Sequence, residues 1–233
     1  MPPFLNRLIR PFTQSTRLSL TQDSGMASSF PEGAQKATVA AGCFWGVEHL
    51  YRKHFGNGKG LLDARVGYTG GATDKPNYRG VCSGRTGREF SLSLTPLSAA
   101  VKGGVAIQWL IRHISHTDAE SLQITFDPTI LTYRQILEFF YRMHDPTTLN
   151  RQGADVGTQY RSAIFWHDEE QEKVAKEVTA QAEKQWWKKP ITTEVAKIGE
   201  WYDAETYHQQ YLDENPGGYE CPMHYVRKFG DLE

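Results

Sequence analysis

The chain has 233 residues, 39% hydrophobic and 23% charged, and its 26 Lys and Arg nearly balance its 27 Asp and Glu. This is the composition of a globular protein of one domain, or two, long enough to bury a core without disulfide staples. The balance argues against a nucleic-acid partner, which needs a basic surplus; no run approaches the ~18 apolar residues of a membrane span; and three cysteines, Cys43, Cys82 and Cys221, make no disulfide framework.

In chain order, residues 1–22 come first, with Arg7, Arg10 and Arg17, five hydroxyl side chains and no acid. That is the composition of a mitochondrial transit peptide, with an ordinary tail as the alternative. Met26 opens a second candidate start, so one gene could supply mitochondrial and cytoplasmic forms. We read residues 1–33 as this tail or transit peptide and 34–233 as a single domain. ATVAA (37–41) predicts a strand, and Val47, Leu50 and Tyr51 follow at helical spacing from Cys43. Leu61–Gly70 reads as a strand. SLQITF (121–126) alternates as a half-buried strand does. Thr132 opens a helix with Gln135 as its capping-box partner and Leu131 and Ile136 as staple; Ile136, Leu137, Phe140 and Tyr141 line its inner face. RSAIF (161–165) is another strand. Asp168 with Gln171 caps a helix whose apolar stripe is Val174, Val178, Ala182 and Trp186. TEVAKI (193–198) is the last strand, Glu205–Leu212 a short helix, and the Gly- and Pro-rich stretch from Asn215 a long coil arm. The mixture predicts an α+β fold, a two-layer sandwich with a ferredoxin-like core sheet and packed helices.

The sharpest local feature is Gly42-Cys43-Phe44-Trp45-Gly46, at the turn from strand to helix. Helix N-terminal N–H groups and the macrodipole favour a thiolate there, the nucleophilic form. The flanking glycines let other groups approach closely. The competing reading is a small buried hydrophobe beside core aromatics. A cysteine hydrolase would need a histidine base near Cys43, for which His49 and His54 are the nearby candidates.

GCFWG resembles the active-site signature of the class A peptide methionine sulfoxide reductases. Further motifs follow in order: Val66–Gly71 with Pro76-Asn77-Tyr78; Val81-Cys82-Ser83-Gly84; Ala119-Glu120 leading into LQITFDP; His144–Thr148 with Arg151-Gln152-Gly153, Asp155 and Gly157–Ser162; and Asn215–Pro222, which is similar to the C-terminal segment of fungal and other eukaryotic members. The resemblance runs from about residue 36 to the end. It implies a catalytic domain that reduces the S epimer of methionine sulfoxide, free or in proteins, to methionine. Cys43 would be the nucleophile, Glu120 the proton donor, Tyr78 and Tyr160 hydrogen-bond donors to the sulfoxide oxygen, Asp155 the organiser of the network, and Phe44 and Trp45 the methyl pocket. Independently of the resemblance, Glu120 shares strand parity with Leu122, Ile124 and Phe126, so it should be buried and keep its proton. The resemblance also implies a sulfenic acid on Cys43, resolved by Cys221 rather than Cys82, and a Cys43–Cys221 disulfide recycled by thioredoxin. It implies no cofactor, no metal, no membrane and a monomer, in the cytoplasm, the mitochondrion or both. A zinc site from His208, Cys221 and His224 lacks a full set of ligands.

One segment departs from the family pattern. Between Gly84 and Glu120 members have only a few residues, whereas here about 85–115 form an atypical, apolar insertion. It reads as a retained intron or splice variant, or as a partner-binding loop. The alternative to an active reductase is therefore a catalytically impaired relative whose insertion blocks the site.

Overall fold

The structure is a computed structural model, and it describes residues 30–84 and 117–230. Most of the predicted tail (1–29) and the predicted insertion (85–115) lie outside the described residues. A six-stranded sheet runs in the order β7-β6-β1-β3-β2-β8, from β1 (Gln35–Ala41), β2 (Leu61–Thr69), β3 (Ala119–Phe126), β6 (Ser162–Trp166), β7 (Glu194–Lys197) and β8 (Tyr202–Asp203). All neighbours are antiparallel except β6 and β7. The small pair β4 (Arg151–Gln152) and β5 (Asp155–Val156) stands apart as its own hairpin. The helices are α1 (Phe44–Phe55), α2 (Tyr78–Cys82), α3 (Tyr133–Met143), α4 (Glu169–Gln181) and α5 (Tyr211–Glu214). The expected α+β sheet with packed helices is what forms.

Strand alternation divides the packing. Val39, Ala41, Val66, Tyr68, Leu122, Ile124 and Phe126 share one core with Phe44, Val47 and Tyr51 of α1 and Ile136, Leu137 and Phe140 of α3. Residues of opposite parity, Ala40, Ala119, Ala163 and Phe165, form a second, smaller cluster. All eight residues of β3 are therefore buried. This corrects the half-buried reading: Gln123 and Thr125 are polar, yet each is 8% exposed, because β3 sits between β1 and β2 with both faces covered.

The capping box at α3 forms as expected. The Thr132 hydroxyl accepts from the Gln135 N–H, and the Gln135 side chain accepts from the Thr132 N–H. At α4 the box is altered. Asp168 accepts from the Gln171 N–H, but Gln171 accepts from His167 and donates to the Lys36 carbonyl at 2.7 Å, tying the helix to β1. The buried stripe of α4 runs through Ala175, Val178 and Ala182, with Val174 half-buried, and ends in a π turn at Ala182–Trp186. The helix expected at Glu205–Leu212 is two pieces, a 3-10 turn (Thr206–His208) and α5. Gln210 between them takes φ 53°, which no continuous helix allows.

Two clamps hold the chain where it enters β3. The Arg161 guanidinium donates to the Thr117 carbonyl at 2.9 Å, and Asp118 accepts from the Gly71 N–H at 3.1 Å. At the far end the arm packs on the body: Tyr225 and Arg227 donate backbone N–H groups to Met143 and Arg142, and Phe229 stacks on Trp186.

Candidate active site

Cys43 is the N-cap residue of α1 and is 7% exposed. Burial, and after it the Glu120 carboxyl, hold its thiol far above the usual range. The N–H groups of Trp45 and Gly46 pull in the opposite direction without prevailing. This corrects the expectation of a resting thiolate: the helix terminus is present, but desolvation outweighs it.

Glu120 is 1% exposed. Its Oε2 accepts from the Phe44 N–H at 3.2 Å, which joins β3 to the first residue of α1, while Oε1 has no partner. Burial lifts the carboxyl to about 8 against the lowering effect of that N–H, and Asp155 adds to the rise. The strand parity that placed Glu120 inside holds, and the group keeps its proton at neutral pH.

Tyr78, the first residue of α2, and Tyr160, the last of a 3-10 turn (Thr158–Tyr160), are both half-buried. Burial first and Glu120 second raise both phenols above their usual range, and Cys43 acts on each. They remain O–H donors. Asp155, on β5, accepts from the Tyr219 hydroxyl at 3.0 Å through Oδ1, while Oδ2 has no partner. Its charge reaches Cys43, Glu120 and Cys221.

Phe44 is buried between Tyr68 and His208, with ring centroids 5.9 and 5.2 Å away. Trp45 is half-buried and stacks on Tyr211 at 3.9 Å, and its indole N–H donates to Nδ1 of His208 at 3.0 Å. His208 also lies 4.6 Å from the Tyr78 ring. Glu205 accepts from the Tyr68 hydroxyl at 2.8 Å and from the Tyr78 N–H at 3.1 Å, fixing the start of α2.

All three cysteines are free. Cys221 is buried and its thiol donates to the Gln152 carbonyl at 3.5 Å. Burial pushes it up to about 11, with Asp155 contributing. Cys82 is exposed and neighbours Tyr78, and its thiol is raised by burial first. Thus Cys43, Glu120, Tyr78, Tyr160 and Asp155 converge, with Phe44 and Trp45 at their edge and Cys221 beside Asp155. The two histidines considered as bases do not join them: His49 bonds Asp213 at 3.0 Å and His54 stacks on Phe139. Sequence reasoning missed Glu205, His208 and Tyr219 as members of the site. Tyr219 had a signal, since it lies in the quoted tail motif two residues before Cys221. His208 had none, because its bond to Trp45 spans 163 residues. Among the described residues no group of three or more His, Cys, Asp or Glu is placed to hold a metal ion.

A buried thiol near a protonated carboxyl and two phenols, with a second thiol on a neighbouring arm, is an arrangement suited to the redox chemistry of sulfur. Comparison narrows this. The family model described as peptide methionine sulfoxide reductase matches residues 35–95 and 111–231. The probable peptide methionine sulfoxide reductase of Schizosaccharomyces pombe is 42% identical over 194 residues, covering 83% of this chain and 96% of that protein. The crystal structure of reduced Mxr1 from Saccharomyces cerevisiae superposes with a TM-score of 0.68 at 36% identity, covering 85% of this chain and 95% of that one. Mxr1 in complex with Trx2 shares the fold at a TM-score of 0.51 and 24% identity, covering 88% of this chain and 97% of that one. This chain belongs to the peptide methionine sulfoxide reductases, oxidoreductases that act on sulfur groups.

Proposed function

We propose that the chain reduces the S epimer of methionine sulfoxide, free and in proteins, and so repairs oxidised proteins. The observation that carries the reading is the neutral, buried Glu120 carboxyl placed against the loop of Cys43. A sulfoxide oxygen leaves only when protonated, and an acid that holds its proton at neutral pH supplies that need. Cys43 attacks the sulfoxide sulfur while Glu120 and the hydroxyls of Tyr78 and Tyr160 serve the oxygen. The thiol and the sulfoxide exchange one oxygen: methionine leaves and Cys43 becomes a sulfenic acid. Phe44 and Trp45 form the apolar wall for the S-methyl group, and Asp155 orders the network. Cys221 then condenses with the sulfenic acid, releasing water and forming the Cys43–Cys221 disulfide. A thioredoxin dithiol reduces that bond by exchange. The complex of the relative Mxr1 with the thioredoxin Trx2 supports this partner.

Residues 34–233 act as one catalytic domain, and the break in the family match between residues 95 and 111 supports an added segment near 85–115. The basic start supports mitochondrial targeting, with Met26 opening a cytoplasmic form. Epitope tagging with each start removed tests this: an unchanged distribution after loss of residues 1–25 refutes it.

The deciding experiment is dithiothreitol- or thioredoxin-driven reduction of the S and R epimers by the full chain and by a version lacking residues 85–115. S-specific turnover by both is expected. Turnover of neither epimer by either version refutes the reading, and turnover by the shortened version alone makes the full chain a blocked variant. Cys43→Ser should abolish methionine release, whereas Cys221→Ser should leave the first turnover and stop recycling by thioredoxin.

A further inference from the structure

The arm that carries Cys221 meets the loop that carries Cys43 through His224. After Cys221 the chain turns tightly, with the His224 N–H donating to the Cys221 carbonyl at 2.9 Å. The His224 ring then reaches the end of β1, where Nε2 bonds the Ala41 carbonyl at 2.7 Å. A carbonyl only accepts, so Nε2 carries the proton; Nδ1 has no partner. The ring has room because Gly42, just before Cys43, and Gly46, three residues after it, lack side chains. A methyl group at Gly46 would overlap Nδ1, and one at Gly42 would stand 3.3 Å from Nε2 and 2.6 Å from Gln152 Cβ. Gly42 also takes φ 93°, where a side chain is strained. Ala41, Gly42 and Gly46 thus bracket the nucleophile: Ala41 is bonded to the ring, three residues beyond the second thiol, and the two glycines leave it space.

We infer that His224 is a positioning residue for the second half of the cycle. It keys the Cys221 turn into the notch around Cys43, so that the thiol and the sulfenic acid stay within reach of each other. The inference rests on the function proposed above. In the step it serves, the S–O bond of Cys43 breaks and the S–S bond forms. The Cys43 sulfur is reduced, the Cys221 sulfur is oxidised, and the Cys221 proton leaves with the hydroxyl as water. The ring transfers no proton. It acts by raising the effective concentration of one sulfur at the other. Cys221 waits on the Gln152 carbonyl, so its thiol leaves that carbonyl while the turn stays fastened.

The test uses the full chain, methionine sulfoxide and no reductant. Methionine release and Cys43–Cys221 formation are followed separately, with dimedone trapping any sulfenic acid. His224→Ala is expected to slow disulfide formation by about a hundredfold, the cost of a misplacement of roughly 1 Å, and far more than it slows methionine release. Dimedone adduct should then accumulate on Cys43. His224→Gln, whose amide N–H can still reach the Ala41 carbonyl, should restore most of the rate. Gly46→Ala fills the seat of the ring while leaving His224 in the sequence, and should reproduce the slow second step even if His224→Ala fails to fold. A disulfide formed at the parent rate in these variants overturns the inference and leaves the proposed function standing. Equal slowing of both steps also overturns it, since the ring would then support the site as a whole. No methionine released by the parent chain would bring down the proposed function itself.

Discussion

Two neighbouring side chains of the site show how surroundings override type. Cys43 sits at a helix N-terminus, where a thiolate is ordinarily favoured, yet burial and the Glu120 carboxyl keep it a thiol. Glu120 would be ionised on a surface, yet burial holds its proton up to about 8. The two effects cooperate, because a protonated Glu120 removes the charge that opposes ionisation of Cys43. Methionine release should therefore fall as pH rises through about 8, when Glu120 loses its proton. Glu120→Gln should lower that rate by about 10²–10⁴-fold, the ordinary contribution of a positioned acid, and should remove the alkaline limb. Single-turnover kinetics between pH 6 and 10 check this; a limb that survives in Glu120→Gln assigns it to another group.

At the level of elements, end chemistry was the most readable part of the chain. The Thr132–Gln135 box is present in both directions, and Thr132→Ala should cost about 1 kcal/mol, measurable as a shift in urea midpoint. An unchanged midpoint would show that the packing of Ile136, Leu137 and Phe140 alone holds α3. The long strands were legible too, since β1 to β3 carry apolar residues over enough positions to reveal a period. The two-residue strands were not. β8 pairs only Gly67 with Asp203 and Tyr68 with Tyr202, and a pair of residues has no period to read. The break at Gln210 was also silent, because that residue adopts φ 53° under tertiary constraint rather than by preference. In the site, Cys43 and the motif residues were legible in order, and Glu120 by parity. His208 and His224 were not, because their bonds reach 163 and 183 residues along the chain.

Across the whole molecule, two buried groups set opposite limits on stability. Burial holds His144 down to about 3 from its ordinary 6.5, so below pH 6.5 the unfolded chain takes a proton that the folded one refuses, and stability falls with falling pH. Glu120 is pushed up to about 8 from 4.5, so above pH 4.5 the unfolded chain releases a proton that the folded one keeps, and stability falls with rising pH until about 8. Between 4.5 and 6.5 the slopes oppose, each as large as about 1.4 kcal/mol per pH unit. Urea midpoints should be flattest in that window, and Glu120→Gln should lessen the decline from 6.5 to 8; an unaltered decline would mean that other groups set it. The clamps at the head of β3 carry a different kind of consequence. Because Arg161 grips Thr117 and Gly71 grips Asp118, the phase of the strand is decided downstream of them, and Glu120 inherits its inward side from those moorings. A splice boundary or a lineage can therefore lengthen or trim what comes before Thr117 without turning the acid to the wrong face of the sheet.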